Sequence, residues 1–274
     1  MKSKIYFYDL ALRTSSLLAE FDGLYEAPNW HPHRDELLLN CDGRLYRLPL
    51  DTLALHQVDT AFATRLNNDH GYAPDGQTIW ISDKVETGKS CIYSVPAAGG
   101  EPTRLTTNVP SYWHGVSPDG AQITYAGFRD DICRTIVSDA DGQGERILTH
   151  DFDHCDGPDF SADGQWIWFN GEKDGCVDLW RVTPDGAHLE RMTDGPTVDW
   201  FPHPSPDGKH VLYLAYPPST QGHPGNLNVS LRLMPATGGP SQELVQLFGG
   251  QGTINSPCWA PDSRRFAYVA FDLS

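Results

Sequence analysis

The sequence predicts an all-β fold, a six-bladed β-propeller with four strands in each blade. Three observations support this prediction: a recurring four-residue turn, a repeat period of about 44 residues, and an incomplete blade at each end of the chain. Internal repeats of this length, each holding several short strands, are typical of propellers.

The recurring turn reads Pro-Asp-Gly or a close variant of it. Copies begin at Ala73, Ser117, Ser161, Ser205 and Ala260, and a degenerate copy begins at His31. Proline fixes φ, aspartate supplies an Asx hydrogen bond and glycine accepts a positive φ, so each copy predicts a tight turn. The proline column stands at positions 32, 74, 118, 162, 206 and 261, with alanine at 162, so the fifth repeat carries an insertion of about 11 residues.

Each repeat shows the same order of strands and loops around its turn. In the third repeat, alternating β-branched and aromatic residues predict strands over 122–127 and 133–139, joined by a loop over 128–132. The single domain 1–274 then divides into five continuous blades and one split blade: 22–59, 60–107, 108–150, 151–194, 195–247, and 1–21 with 248–274.

The two ends of the chain supply the split blade. Strands are predicted over 4–10 and 15–21 at one end, and over 258–260 and 266–271 at the other. Pairing the two halves removes exposed strand edges, which would otherwise template aggregation. The sequence therefore predicts closure of the ring by two N-terminal and two C-terminal strands.

Composition and charge exclude several functions. The chain has 274 residues and a formal charge of −16, which disfavours nucleic acid as a partner. No apolar run is long enough to span a membrane, and the alternating N-terminus does not resemble a signal peptide, so we expect a cytoplasmic protein without a membrane partner. The six cysteines form no Cys-x-x-Cys pair and are expected to be reduced and mostly buried.

The repeated Ser-Pro-Asp-Gly followed by an alternating strand resembles the WD-like repeats of the TolB-type propeller, over essentially the whole chain. This resemblance implies the fold more strongly than the function, because such propellers include periplasmic interaction modules, caps of serine peptidases and the oligogalacturonate lyases. The sequence has no N-terminal α/β domain like that of TolB, which argues against the Tol translocation role. It also has no Gly-x-Ser-x-Gly elbow, which argues against a serine hydrolase.

The candidate site is the propeller mouth at which the six repeats converge. Ionisable and amide side chains occur in the residues that lead into each turn and in the loops between the second and third strands of each blade. Packing alone would require only small residues at these positions. Candidate catalytic residues are Glu26, Asp69, His70, His114, Arg129 and Asp156. Candidate substrate-binding residues are Asn68, Lys84, Tyr112, Trp113, Asn170, Asp199, Trp200 and Asn255.

This mixture of side chains is suited to a sugar ligand. Aromatic faces pack against pyranose rings, amides and carboxylates bind hydroxyls, and paired acids and bases cleave glycosidic bonds. We therefore expect an oligosaccharide or sugar acid to be bound, and cleaved by a lyase or glycoside hydrolase if the protein is an enzyme. The alternative is a non-catalytic scaffold that binds a protein or peptide.

Histidines suggest a divalent metal ion as the cofactor. His70 and His114 occupy equivalent positions in adjacent repeats, and His203 lies one residue later in its own repeat. Together with a carboxylate they form a candidate metal site, and the resemblance to oligogalacturonate lyases implies a His-rich metal site of this kind. The competing interpretations are hydrogen-bonded structural histidines, or a cation held by Asn68, Asn170 and Asn255.

Four large aromatic residues are predicted to belong to the core instead of the site. They share one column, three residues before the turn aspartate or its equivalent: Trp30, Tyr72, Phe160 and Trp259. The insertion in the fifth repeat, 216–228, carries His223 and three prolines, and the sequence does not decide whether it forms a lid.

Overall fold

The computed structural model describes residues 1–273, which fold into six β-sheets connected by turns and short loops. The fold is all-β, a six-bladed propeller, as the repeats predict. Within the described residues, no helix has the length and hydropathy of a membrane span.

Five blades are continuous four-stranded antiparallel sheets. Blade 1 consists of β3 (Glu26–Trp30), β4 (Glu36–Cys41), β5 (Arg44–Pro49) and β6 (His56–Val58). Blade 2 consists of β7 (Leu66–Tyr72), β8 (Thr78–Asp83), β9 (Cys91–Pro96) and β10 (Thr103–Arg104). Blade 3 consists of β11 (Ser111–Val116), β12 (Gln122–Arg129), β13 (Ile132–Asp139) and β14 (Arg146–Ile147).

Blades 4 and 5 follow the same order. Blade 4 consists of β15 (His154–Phe160), β16 (Ile167–Lys173), β17 (Cys176–Val182) and β18 (Leu189–Arg191). Blade 5 consists of β19 (Val198–Pro204), β20 (His210–Tyr216), β21 (Leu227–Pro235) and β22 (Gln242–Gly249).

The sixth blade joins the two ends of the chain. Its sheet has the order β2 (Thr14–Asp22), β1 (Lys2–Asp9) and β23 (Arg265–Asp272). Tyr6 pairs with Tyr268 in the β1–β23 ladder, and their rings stack at 5.2 Å. The predicted strand over 258–260 is reduced to one bridge, between Trp259 and Phe266. The closure by terminal strands is thus confirmed, with a shortened innermost strand.

The chain divides into two compact units. One comprises Met1–Trp113 and the C-terminal segment from Gly252, and the other comprises His114–Gln251. Leu38, Ile79 and Tyr93 belong to a core cluster of the first unit. Phe169 belongs to one cluster of the second unit and Trp168 to another.

The repeated turns have the predicted hydrogen bonds. In the third repeat the Gly120 backbone N–H donates to the Ser117 carbonyl at 2.8 Å, and Gly120 has a φ of 71°. The Ser117 hydroxyl donates to Asp119 at 2.6 Å and accepts from the Gln122 N–H at 2.9 Å. The side chains of the motif thus satisfy the backbone of the turn, which explains why the same residues recur.

The predicted aromatic column belongs to the core. Trp30, Tyr72, Phe160 and Trp259 are all at least nine-tenths buried. This confirms the prediction that they pack instead of facing a ligand.

The predicted loop over 128–132 is wrong. β12 continues to Arg129 and β13 begins at Ile132, so only Asp130 and Asp131 connect them. Both residues have a positive φ, 52° and 61°, as a tight hairpin turn requires. Arg129 therefore lies on a strand, where its guanidinium reaches Glu145 at 2.6 Å.

Candidate functional site

The first strands of three blades each contain a β-bulge at the same point of the repeat. Ala27, Gly157 and Phe201 have a positive φ, and each immediately precedes a proline. In each bulge, this residue and the proline together oppose a single residue of the partner strand. A bulge redirects the side chains beside it. The residues just before the bulges are Glu26, Asp156 and Trp200, which are three of the predicted site residues.

Asp156 is the centre of a cluster of histidines in the second unit. His114 Nε2 lies 3.0 Å from Asp156 Oδ1. His223 Nε2 lies 3.6 Å, and His154 Nε2 lies 3.9 Å, from the other oxygen, Oδ2. We call these four residues the imidazole cluster. His114 is buried, whereas about a quarter of the side chain of His154 and of His223 is exposed.

The environment separates the pKa values within the imidazole cluster. Burial opposes ionisation of Asp156, but the 3.0 Å contact with His114 and the nearby imidazoles of His154 and His223 outweigh it and hold the pKa of Asp156 well below its usual range. Burial also opposes protonation of His154, yet the nearby Asp156 carboxylate, 3.9 Å away, raises the pKa of His154. Burial dominates at His223 and lowers its pKa. The cluster thus holds an ionised carboxylate, a basic imidazole that favours protonation, and a neutral one.

Aromatic rings surround the imidazole cluster. The Trp200 ring lies 4.4 Å from that of His223, and the Phe201 ring lies 5.4 Å from the same imidazole. Phe128 is partly exposed and makes an edge contact with His154 at 6.4 Å. Trp200 and Phe201 are buried and desolvate His223, whereas Phe128 has exposed apolar surface beside His154.

Sequence reasoning assigned His114, Asp156 and Trp200 to the site but missed two members of the cluster. His154 lies two residues before Asp156 in the same strand, just outside the segment from Cys155 that leads into the turn. His223 was noted only as part of the insertion 216–228. The structure brings that insertion to Asp156, so the insertion completes the cluster.

His203 belongs to a separate pair in the second unit. Its Nδ1 lies 3.0 Å from Asp159 Oδ2, and both residues are buried. Burial raises the pKa of Asp159, and the hydrogen bond and charge of His203 only partly offset this effect. The pair is a buried polar contact between blades 4 and 5.

Two predicted site residues of the first unit are fully buried. His70 Nε2 lies 3.4 Å from the Leu38 carbonyl, and burial lowers the pKa of His70 to about 4. The Trp113 ring stacks on Trp80 at 6.0 Å and covers Gly71, with no exposed surface. Trp113 therefore offers no open face to a ligand.

Glu26 and three amides form a second polar cluster, within the first unit. Glu26 accepts long hydrogen bonds from Asn40 and Asn68, each 3.4 Å. Asn255 lies 3.4 Å from Asn68 and accepts from the Gly252 N–H at 2.6 Å. Two of the three amides proposed as cation ligands, Asn68 and Asn255, thus meet beside Glu26.

The pKa of Glu26 is raised to about 7, chiefly by burial. The Asn40 and Asn68 hydrogen bonds lower it, and the negative charge of Asp69 raises it further. Asp69 is itself buried and receives a short hydrogen bond from Asn67. Glu26 thus lies among amides and another carboxylate, where its ionised form is poorly stabilised.

Glu26→Gln is expected to stabilise the protein at alkaline pH. A carboxyl group with a raised pKa stabilises the fold below its unfolded-state pKa, and this contribution is lost as pH rises towards 7. The shift of the Glu26 pKa from 4.5 to about 7 corresponds to about 3 kcal/mol in the free energy of unfolding. Urea unfolding should therefore show a variant up to about 3 kcal/mol more stable than wild type at pH 8, and the difference should close at pH 4.

The exposed Glu101→Gln is the matched control, and its stability should follow that of wild type at both pH values. Equal stability of Glu26→Gln and wild type at pH 8 would show that Glu26 is well solvated as a carboxylate.

The remaining predicted residues lie in varied surroundings. Arg129 is engaged by Glu145, Asn170 Oδ1 accepts from the Phe201 N–H at 3.1 Å, and Lys84 is exposed. Tyr112 is half-buried on β11. Asp199 is buried and lines a cavity of about 250 Å³ together with Arg232.

The metal prediction rested on His70, His114 and His203. Within residues 1–273, no three His, Cys, Asp or Glu side chains have an arrangement suited to a metal ion. His114 and His203 each pair with a different aspartate, and His70 faces a backbone carbonyl. The divalent ion stays a prediction from the sequence.

The chain is similar to proteins of known structure along its whole length. A curated but uncharacterised protein of Agrobacterium fabrum is 48% identical over 272 residues, which cover 99% of this chain and 93% of the relative. A solved structure from Agrobacterium tumefaciens, which carries a provisional TolB name, is 48% identical with a TM-score of 0.98, over 100% of this chain and 99% of that one. No family model matches.

More distant structures share the fold alone. TolB of Acinetobacter baumannii has a TM-score of 0.71 at 16% identity, over 91% of this chain and 64% of that protein. An oligogalacturonate lyase in complex with manganese has a TM-score of 0.57 at 13% identity, over 90% and 74% of the two chains. Identities this low leave the activity to be argued from the side chains.

Proposed function

The chain belongs to the TolB-like family of six-bladed β-propellers, and from this premise we propose that it is an acid–base enzyme that cleaves a sugar or sugar acid at the imidazole cluster. The observation that carries the proposal is the convergence of three imidazoles on the single carboxylate of Asp156. Groups with environments that push their pKa values apart are suited to paired acid and base roles.

The roles follow from the charge states. His223 has a lowered pKa and is the base that removes a proton, either from a carbon next to a carboxylate or from an attacking water. His154 has a raised pKa and is the acid that protonates the leaving oxygen as the C–O bond breaks. Asp156 stays ionised and stabilises the protonated imidazole, while His114 fixes its orientation at 3.0 Å.

The surroundings of the cluster favour a sugar as substrate. Phe128 provides exposed apolar ring surface next to His154, and the buried Trp200 ring packs against His223. Sugars commonly combine ring contacts on their C–H faces with polar contacts to their hydroxyls. The carboxylate and imidazoles supply the polar part of such a site.

A pH profile tests the proposal. Wild type is screened against neutral oligosaccharides and uronides, and the pH dependence of kcat/KM is then measured on the substrate that is cleaved. We expect an acidic limb below pH 6.5, set by His223, and an alkaline limb above it, set by His154. His223→Gln should remove the acidic limb and His154→Gln the alkaline one, each with a loss of about 100-fold or more.

The exposed His188→Gln is the matched control, and it should keep the wild-type profile. Cleavage that both cluster variants retain at the wild-type rate would place catalysis elsewhere. Saturable binding of a sugar or peptide without turnover would favour the non-catalytic scaffold.

A further inference from the structure

The cavity lined by Asp199 and Arg232 in the second unit holds a buried carboxylate that the imidazole cluster does not use. The cavity has a volume of about 250 Å³. Its wall includes the segment 192–197, the turn 239–241, Asp199, Tyr213 and Arg232. This volume fits a molecule of a few non-hydrogen atoms up to a small amino acid.

Asp199 is the unusual group in this cavity. Its side chain is about 1% exposed, and its Oδ1 atom has no hydrogen-bond partner among the described residues. A buried carboxylate oxygen without a donor is costly, because the protein does not replace the hydrogen bonds it made to water. Asp199 also lines the cavity, and the negative charge of its carboxylate is suited to a ligand that carries a positive charge and N–H donors.

The same cavity also has a positive wall. Arg232 donates from Nε to the Ser241 hydroxyl at 3.1 Å, which holds its guanidinium at the cavity. Its Nη1 lies 3.7 Å from Glu243, an exposed and loose ion pair. Guanidinium groups bind carboxylates in a planar, two-point geometry. The cavity is therefore lined by a buried carboxylate and by a cation.

We propose that this cavity binds a small α-amino acid as a zwitterion, with its ammonium group on Asp199 and its carboxylate on Arg232. The ammonium group balances the negative charge of the buried Asp199 carboxylate, which lines the cavity. The volume restricts the side chain to a few carbon atoms. The cavity shares no residue with the imidazole cluster, and this proposal does not depend on the sugar-cleavage proposal.

Titration calorimetry of the full chain tests this proposal. L-alanine is the probe, and ethylamine and propionate are controls that each lack one of its charged groups. We expect L-alanine to bind at one site, and each control to bind at least tenfold more weakly. Asp199→Asn and Arg232→Met should each weaken L-alanine binding at least tenfold.

The exposed Asp151→Asn is the matched control, since it removes the same charge and Asp151 does not line the cavity. Its affinity for L-alanine should stay within twofold of wild type, and circular dichroism confirms that each variant is folded. The proposal is overturned if wild type does not bind L-alanine at 10 mM, if folded Asp199→Asn binds it as well as wild type, or if a control compound binds equally well.

Discussion

Asp156→Ala is expected to lower the free energy of unfolding by about 3–5 kcal/mol at pH 6, the range found when one partner of a buried ion pair is removed. Asp156 is the shared partner of three imidazoles, and its Oδ1 also accepts from the Gly157 N–H at 2.8 Å. Alanine removes the hydrogen-bond acceptor of the His114 imidazole and of the Gly157 N–H, and the negative charge beside His154 and His223. Urea unfolding measures the loss, and Asp153→Ala, an exposed acid three residues away, should change the stability by less than about 0.5 kcal/mol.

The pH dependence of this loss has a defined sign. The lowered pKa of Asp156 gives stability that is present above its unfolded value of 3.8 and is lost as pH falls through the folded value. The raised pKa of His154 gives stability that is present below 6.5 and is lost as pH rises through the folded value. The difference between wild type and Asp156→Ala should therefore be largest between pH 4 and 6.5.

NMR titration of His154 provides a second readout. In Asp156→Ala, His154 stays buried but loses the negative charge that favours its protonation. The pKa of His154 should therefore fall below its wild-type value. An unchanged His154 titration, or a stability loss below about 1 kcal/mol, would show that the carboxylate and the imidazoles are not coupled.

Gly71→Ala is expected to destabilise the first unit by about 3 kcal/mol, at the upper end of the cost of overpacking. A Cβ atom at Gly71 would lie 2.5 Å from Cζ3 of Trp113 and closer still to Cη2. Trp113 is fully buried and stacked on Trp80, so its ring has no space into which to move. Urea unfolding at pH 7 measures the effect.

Gly225→Ala is the control for Gly71→Ala, because the nearest atom to its Cβ would be at 3.6 Å. It should change the stability by less than about 0.5 kcal/mol. In a Trp113→Phe background, which lacks the clashing ring atoms, Gly71→Ala should cost much less, and the double-mutant cycle reports this coupling. An equal cost in both backgrounds would rule out the steric explanation.

The repeat pattern was sufficient to predict the fold because the turn chemistry is local. Ser117, Asp119 and Gly120 hydrogen-bond with one another and with the strand that follows, so their presence alone marks the hairpin. The loop over 128–132 was mispredicted because a two-residue turn can be built from Asp130 and Asp131 without glycine. Aspartate tolerates positive φ better than most residues, and sequence periodicity does not reveal where it does so.

The site was predicted only in part, because bulges and long-range contacts decide which side chains meet. Equivalent repeat positions suggested that His70 and His114 act alike, yet one faces the Leu38 carbonyl and the other Asp156. His223 reaches Asp156 from an insertion whose conformation follows from no repeat. Trp113 was assigned to the ligand because it is aromatic, whereas the small Gly71 makes it a packing residue.

The sheet formed by β1, β2 and β23 has a consequence for the order of folding. The Lys4–Asp272 ion pair, at 2.8 Å, joins residues that are 268 positions apart, whereas each of the other blades is built from hairpins of consecutive strands. Contacts of such high sequence separation cost the most chain entropy to form. The continuous blades can therefore assemble as the ribosome releases them, while β1 and β2 keep an unpaired edge until β23 has been synthesised. During that interval the nascent chain is most exposed to edge-to-edge association with other chains.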